Sequence, residues 1–128
     1  MPVSKRYYYM LKLGLIITLL TGYSSYQEKR QLLVFAENTN NSSLKTQQKV
    51  LNADPEGLKE RDIEVKFFYA DRDKDKFKEK RIKSRFTIIL VGKDGGDKLR
   101  STSPLTLQKL YSTIDAMPMR QSEMKRHP

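Results

Sequence analysis

The chain has 128 residues, 38% of them hydrophobic and 31% charged, with 25 Lys and Arg against 15 Asp and Glu for a net charge of +10. That length holds one ordinary core, and the balance suits a globular domain better than a disordered tail or a membrane bundle. No cysteine and a single histidine, His127, exclude thiol–disulfide exchange, a disulfide framework, and a zinc site or catalytic triad built on histidines.

Residues 1–24 read as a secretory signal: Lys5 and Arg6, an apolar stretch from Met10 to Thr21, then the small and polar Gly22, Tyr23 and Ser24. The uninterrupted apolar core, Leu13 to Leu20, is short of the roughly 20 residues needed to cross a bilayer, and Lys12 would be costly inside a longer span. Cleavage is expected after Ser24, with an uncleaved N-terminal anchor as the alternative. Removal would take Lys5, Arg6 and Lys12 and leave 22 basic against 15 acidic residues, a net charge of +7. The mature chain would then be periplasmic or extracellular, or held at the membrane by the uncleaved segment.

Arg30 to Ala36 is a short continuous apolar run, the pattern of a strand buried on both faces. The turn-forming stretch Glu37 to Ser43 predicts a helix start near Ser42 or Ser43. Leu44, Val50, Leu51 and Leu58 continue at helical spacing, with Asp54-Pro55 kinking or dividing the segment. Asp62 to Ala70 alternates as a second strand, and the charged stretch Asp71 to Arg85 is a short surface helix or a loop. Phe86 to Val91 is a third strand. Asp94-Gly95 turns it into a hairpin with Asp97 to Arg100, because glycine tolerates positive φ. A last helix is expected from Ser103-Pro104, striped by Leu105, Leu107, Leu110, Ile114 and Met117 and ended by Pro118. Residues 121–128 follow as a basic tail.

Strand, helix, strand, short helix, hairpin and helix is the order of a thioredoxin-like core, the first pair of strands joined by a right-handed crossover. The predicted fold class is α/β: a three-layer sandwich over residues 28–120, with a four-stranded mixed sheet and helices on both faces. Four stretches carry a more specific likeness: Arg30 to Ala36, Glu60-Arg61-Asp62, Gly92 to Arg100, and Ile114 to Arg120. Together they resemble the DUDES family, a thioredoxin-like domain of unknown function. The family has no established reaction, so the resemblance implies fold and secretion with a leaning toward binding, and brings no catalytic residues.

In a thioredoxin the two cysteines sit at the start of the first helix, where its amides lower a thiol pKa. The corresponding places here fall near Thr39 and Ser42, whose hydroxyls are poor nucleophiles without a base, and Ser42 reads as a helix cap. Arg85-Phe86-Thr87 stands where a cis-proline would precede the third strand. Thr39, Ser42, Phe86 and Thr87 are therefore the candidate binding residues of that corner. Lys74, Lys76, Lys78, Lys80, Arg81, Lys83 and Arg85 form a basic segment suited to an anionic polymer, diluted by Asp75 and Glu79. Asp71, Asp73 and Asp75 open like a calcium loop, but Lys76 and Ile82 occupy the positions that need glycine and a carboxylate. Gly92 to Gly96 lacks the ending of a phosphate loop. Glu37, Asp62 and Asp115 are carboxylates at the ends of elements that no spacing brings together.

These features point to a non-enzymatic exported module that binds another envelope or extracellular protein, or an anionic polymer. No cofactor or metal is expected, and export disfavours nucleic acid. The alternative is an envelope enzyme using hydroxyls or carboxylates around residues 37–42.

Overall fold

The computed structural model of the protein describes residues 26–127. The expected signal and its cleavage point lie outside the described residues. Four strands, β1 (Arg30–Ala36), β2 (Ile63–Tyr69), β3 (Phe86–Val91) and β4 (Asp97–Ser101), form one sheet in the order β2-β1-β3-β4. β1 runs parallel to β2 and antiparallel to β3, and β3 runs antiparallel to β4, which makes the sheet mixed. β1 and β3 are central and almost wholly buried, which is why both read as continuous apolar runs. The hairpin turns at Gly95, whose φ of 84° is left-handed.

Successive side chains of a strand face opposite sides, so each central strand feeds two cores. Leu32, Val34, Ala36, Ile88 and Leu90 face three helices, α1 (Ser42–Asn52), α2 (Pro55–Glu60) and α4 (Leu107–Asp115), through Leu44, Leu51, Leu58, Leu110 and Ile114. Leu33, Phe35, Ile89 and Val91 face the other way, toward Phe68 of β2, Phe77 of α3 (Lys74–Glu79) and Ile82. The result is helix, sheet and helix in three layers.

Gln47 replaces an apolar residue on the buried face of α1. Its side-chain amide exchanges two hydrogen bonds with the backbone of Leu105, at 3.1 and 2.7 Å, tying α1 to the approach of α4. Asp54 caps α2 by accepting from Gly57 N, so Asp54-Pro55 divides the helical segment rather than kinking it.

Three expectations are corrected. Ser42 does not cap α1: Asn41 does, its Oδ1 accepting from Leu44 N at 2.9 Å. The last predicted helix starts at Leu107, not Ser103-Pro104, because the Thr106 hydroxyl accepts from Lys109 N. Pro118 opens a further helix, α5 (Pro118–Arg126), out of what was expected to be a tail. Proline's fixed φ and missing amide suit a first helical position as well as a stop.

Candidate functional site

The loop after β1 and the chain entering β3 meet at one end of the sheet, as the predicted corner requires. Glu37 N and Asn41 Nδ2 both donate to the carbonyl of Arg85, at 3.0 and 3.3 Å. A polar cleft of about 620 Å³ opens there, lined by Glu37, Asn41, Ser42, Ser84, Arg85 and Phe86 among others. Of the predicted residues it joins Ser42 and Phe86. Thr39 is exposed on the loop and Thr87 is buried within β3, and neither lines the cleft. There is no cis peptide bond among the described residues. Glu37 is the cleft's one carboxylate, exposed and 3.8 Å from Arg85, and no imidazole lies near. Hydroxyls with no adjacent base are weak nucleophiles.

The opposite end of the sheet holds a structured cluster of charge. Arg30, at the start of β1, is 1% exposed and makes a two-pronged bond to Glu123 of α5, each contact 3.2 Å. Lys93, just past β3, donates to Asp62 at 2.8 Å and to the same Glu123 at 2.6 Å. Arg61 grips Asp115 through two bonds of 3.1 Å and lies over the Tyr111 ring, 3.8 Å from its centre. Arg120 donates to Asp115 and to Glu60, each at 3.1 Å. Four cations thus face four carboxylates: Arg30, Arg61, Lys93 and Arg120 against Glu60, Asp62, Asp115 and Glu123.

Burial works against the charges of Lys93, Asp115, Arg120 and Glu123, and their partners outweigh it. Desolvation would raise the Glu123 carboxyl, yet Lys93 and Arg30 hold it below its ordinary range. Asp115 is likewise held down by Arg61 and Arg120. Desolvation would lower Lys93, but Asp62 and Glu123 keep its ammonium above the usual lysine value. Beside the cluster, burial and the bond to Asp54 push the Tyr111 hydroxyl up to about 12. Such balanced charges, each ion-paired within the cluster, fix one arrangement of elements. They also bring together Asp62 and Asp115, two of the three carboxylates that spacing left apart, as neighbours in one network rather than as an acid–base pair.

Sequence reasoning missed this cluster, although its residues stand in the stretches that carried the family likeness: Arg30, Glu60-Arg61-Asp62, Lys93, Asp115 and Arg120. Glu123 alone lies beyond them. The basic segment is on the other helical layer. There Lys76 pairs with Glu79, Lys80 with Asp97 and Arg85 with Glu37, while Lys74, Lys78, Arg81 and Lys83 are exposed with no ion pair among the described residues. No group of three or more His, Asp or Glu poised for a metal occurs among the described residues.

Solved structures similar to this one are thioredoxin-like. Thioredoxin-2, described as a component of malaria parasite protein secretion machinery, aligns with a TM-score of 0.58 and 18% identity over 70% of this chain and 84% of its own. Chloroplastic thioredoxin z aligns with a TM-score of 0.58 and 20% identity over 70% and 81%. A malarial protein aligns with a TM-score of 0.57 and 17% identity over 69% and 96%. At these identities the likeness shows the fold alone. No curated protein matches the sequence. A family model described as "Domain of unknown function (DUF4174)" matches residues 23–123, which include all four strands and all eight residues of the charge cluster. The chain therefore belongs to the DUF4174 family, a domain of unknown function built on a thioredoxin-like fold.

Proposed function

We propose that this protein is an exported, non-redox thioredoxin-like module that acts by binding, or by structural support, in the cell envelope. The observation that carries the reading is the corner where a thioredoxin keeps its thiols. Here the carbonyl of Arg85 is taken by Glu37 N and Asn41 Nδ2, and the residues around it are hydroxyls, amides and one ion pair. Export rests on the order of charge, apolar run and small residues in 1–24. An enzyme working from residues 37–42 would need Glu37 as its base, and that carboxylate is exposed and shared with Arg85.

The test is to fractionate cells producing the tagged full chain, purify the protein from the fraction that holds it, and assay insulin reduction and peroxide consumption. A mature species in the exported fraction with neither activity is expected. Retention in the cytoplasm would overturn export, and turnover in either assay would overturn the non-redox reading.

A second reading, attachment to an anionic polymer through Lys74 to Arg85, is favoured by the exposed Lys74, Lys78, Arg81 and Lys83.

A further inference from the structure

β2 is an edge strand whose two halves are treated differently. Arg30 N donates to Asp62 O and Ala70 N to Ala36 O, so the even-numbered residues along β2 bond to β1. Alternation then turns the backbone N–H and C=O of Ile63, Val65, Phe67 and Tyr69 away from the sheet. At the C-terminal end these outward groups are taken. Arg72 donates to Phe67 O at 2.9 Å, Asp73 Oδ2 accepts from Tyr69 N at 2.8 Å, and Tyr69 O accepts from the amides of Arg72 and Asp73. Both outward groups of Ile63, both of Val65 and the amide of Phe67 have no partner among the described residues. Phe67 O keeps a second lone pair. The open stretch is therefore 63–67, centred on Val65.

The side chains of the same stretch have the same centre. Ile63, Val65 and Phe67 pack against the main core, and between them stand the exposed Glu64 and the half-exposed Lys66. Neither charge has an ion pair among the described residues. Opposite charges two residues apart are self-complementary about the residue between them. When two copies meet antiparallel with a two-fold axis at Val65, Glu64 of each copy lies opposite Lys66 of the other. The outward groups belong to odd-numbered residues, so Val65 against Val65 and Ile63 against Phe67 are hydrogen-bonded pairs. Glu64 against Lys66 is then the closer, non-hydrogen-bonded kind, in which side chains interact most strongly. A slip of the axis to Glu64 or to Lys66 sets like charges directly opposite. Edge charges ordinarily discourage pairing. These two discourage the slipped registers and favour one.

We propose that β2 is a dimerisation edge, where a second copy of this chain pairs antiparallel over 63–67 about Val65 and joins two four-stranded sheets into one. The proposal goes beyond the binding reading above and depends neither on export nor on the absence of redox activity.

The pairing is short, so the dimer should be weak and is sought at up to about 1 mM protein. Sedimentation equilibrium of the purified protein should show a monomer–dimer equilibrium. Hydrogen exchange at the amides of Ile63, Val65 and Phe67 should slow as concentration rises. Glu64→Lys and Lys66→Glu each turn both charge pairs into like pairs and should weaken the dimer by about tenfold or more. Combining Glu64→Lys with Lys66→Glu restores opposite charges and should return dimerisation to near the parent's level, a rescue that a merely disruptive substitution would not show. A monomer at every concentration would leave the edge to another protein and overturn the proposal. Slow exchange at 63, 65 and 67 in the dilute monomer would show the edge covered within one chain and overturn it as well. Single variants that dimerise like the parent, or a double variant that stays monomeric, would do the same.

Discussion

Glu123 lies within ion-pair distance of three cations, Arg30, Lys93 and Arg120, among the described residues. It is the carboxylate on which the buried Arg30 and Lys93 converge, and its own side chain is only 15% exposed. Replacing it with glutamine leaves two buried cations short of a counter-charge, so Glu123→Gln should cost about 3 kcal/mol in denaturant unfolding. Its pH dependence has a definite sign. Because Lys93 and Arg30 hold the folded carboxyl below its ordinary value of 4.5, the unfolded chain takes up that proton first. The stabilisation is present above pH 4.5 and is lost as pH falls through the folded value. Lys93 mirrors this, with stabilisation present below its ordinary 10.5 and lost as pH rises beyond the raised folded value. A melting-temperature profile should therefore fall at both extremes, and Glu123→Gln should flatten the acid side. An acid limb as steep in the variant as in the parent would show that the cluster does not set it.

At the scale of elements, α3 is the weakest attachment. It has six residues, no side-chain cap and one large apolar residue, Phe77, whose ring meets Phe35 edge-on at 5.2 Å. Phe77→Ala should cost about 3 kcal/mol. Hydrogen exchange should quicken most in 74–83, and equal quickening in α1 would argue against α3 as a separate unit. The same reasoning explains what the sequence disclosed. β1 and β3 were legible to the residue because a strand buried on both faces is an unbroken apolar run. β2 alternates because it is an edge strand, and only its end residues, Asp62 and Ala70, fall outside the observed Ile63–Tyr69. α5 was hidden because it has no apolar stripe to read. Ion pairs from Arg120 and Glu123 fasten it, and their partners stand as far as 93 residues away, a pairing that no local period reveals. The thioredoxin-like corner was found from its place in the element order, whereas the charge cluster left only scattered family-like residues.

Over the whole molecule, the two helical layers differ in what their lysines do. The α3 layer gathers the exposed Lys74, Lys78, Arg81 and Lys83 within ten residues, whereas exposed Lys45, Lys49, Lys59 and Lys109 are spread over the helices of the other layer. If an anionic polymer is drawn by net charge alone, removing four cations from either layer should matter equally. If the segment itself is the contact, local density decides, because exposed charges farther apart than about 10 Å are screened at ordinary salt. Both sets are solvent-exposed, so changing four to glutamine should move stability by less than about 0.5 kcal/mol per site and leave the fold intact. The variant Lys74→Gln, Lys78→Gln, Arg81→Gln and Lys83→Gln should elute from heparin at clearly lower salt than the parent. The matched variant Lys45→Gln, Lys49→Gln, Lys59→Gln and Lys109→Gln should elute closer to the parent. Equal shifts for the two would assign the attraction to overall charge and remove 74–85 as a site. Unchanged elution of the first variant would remove the polymer reading altogether.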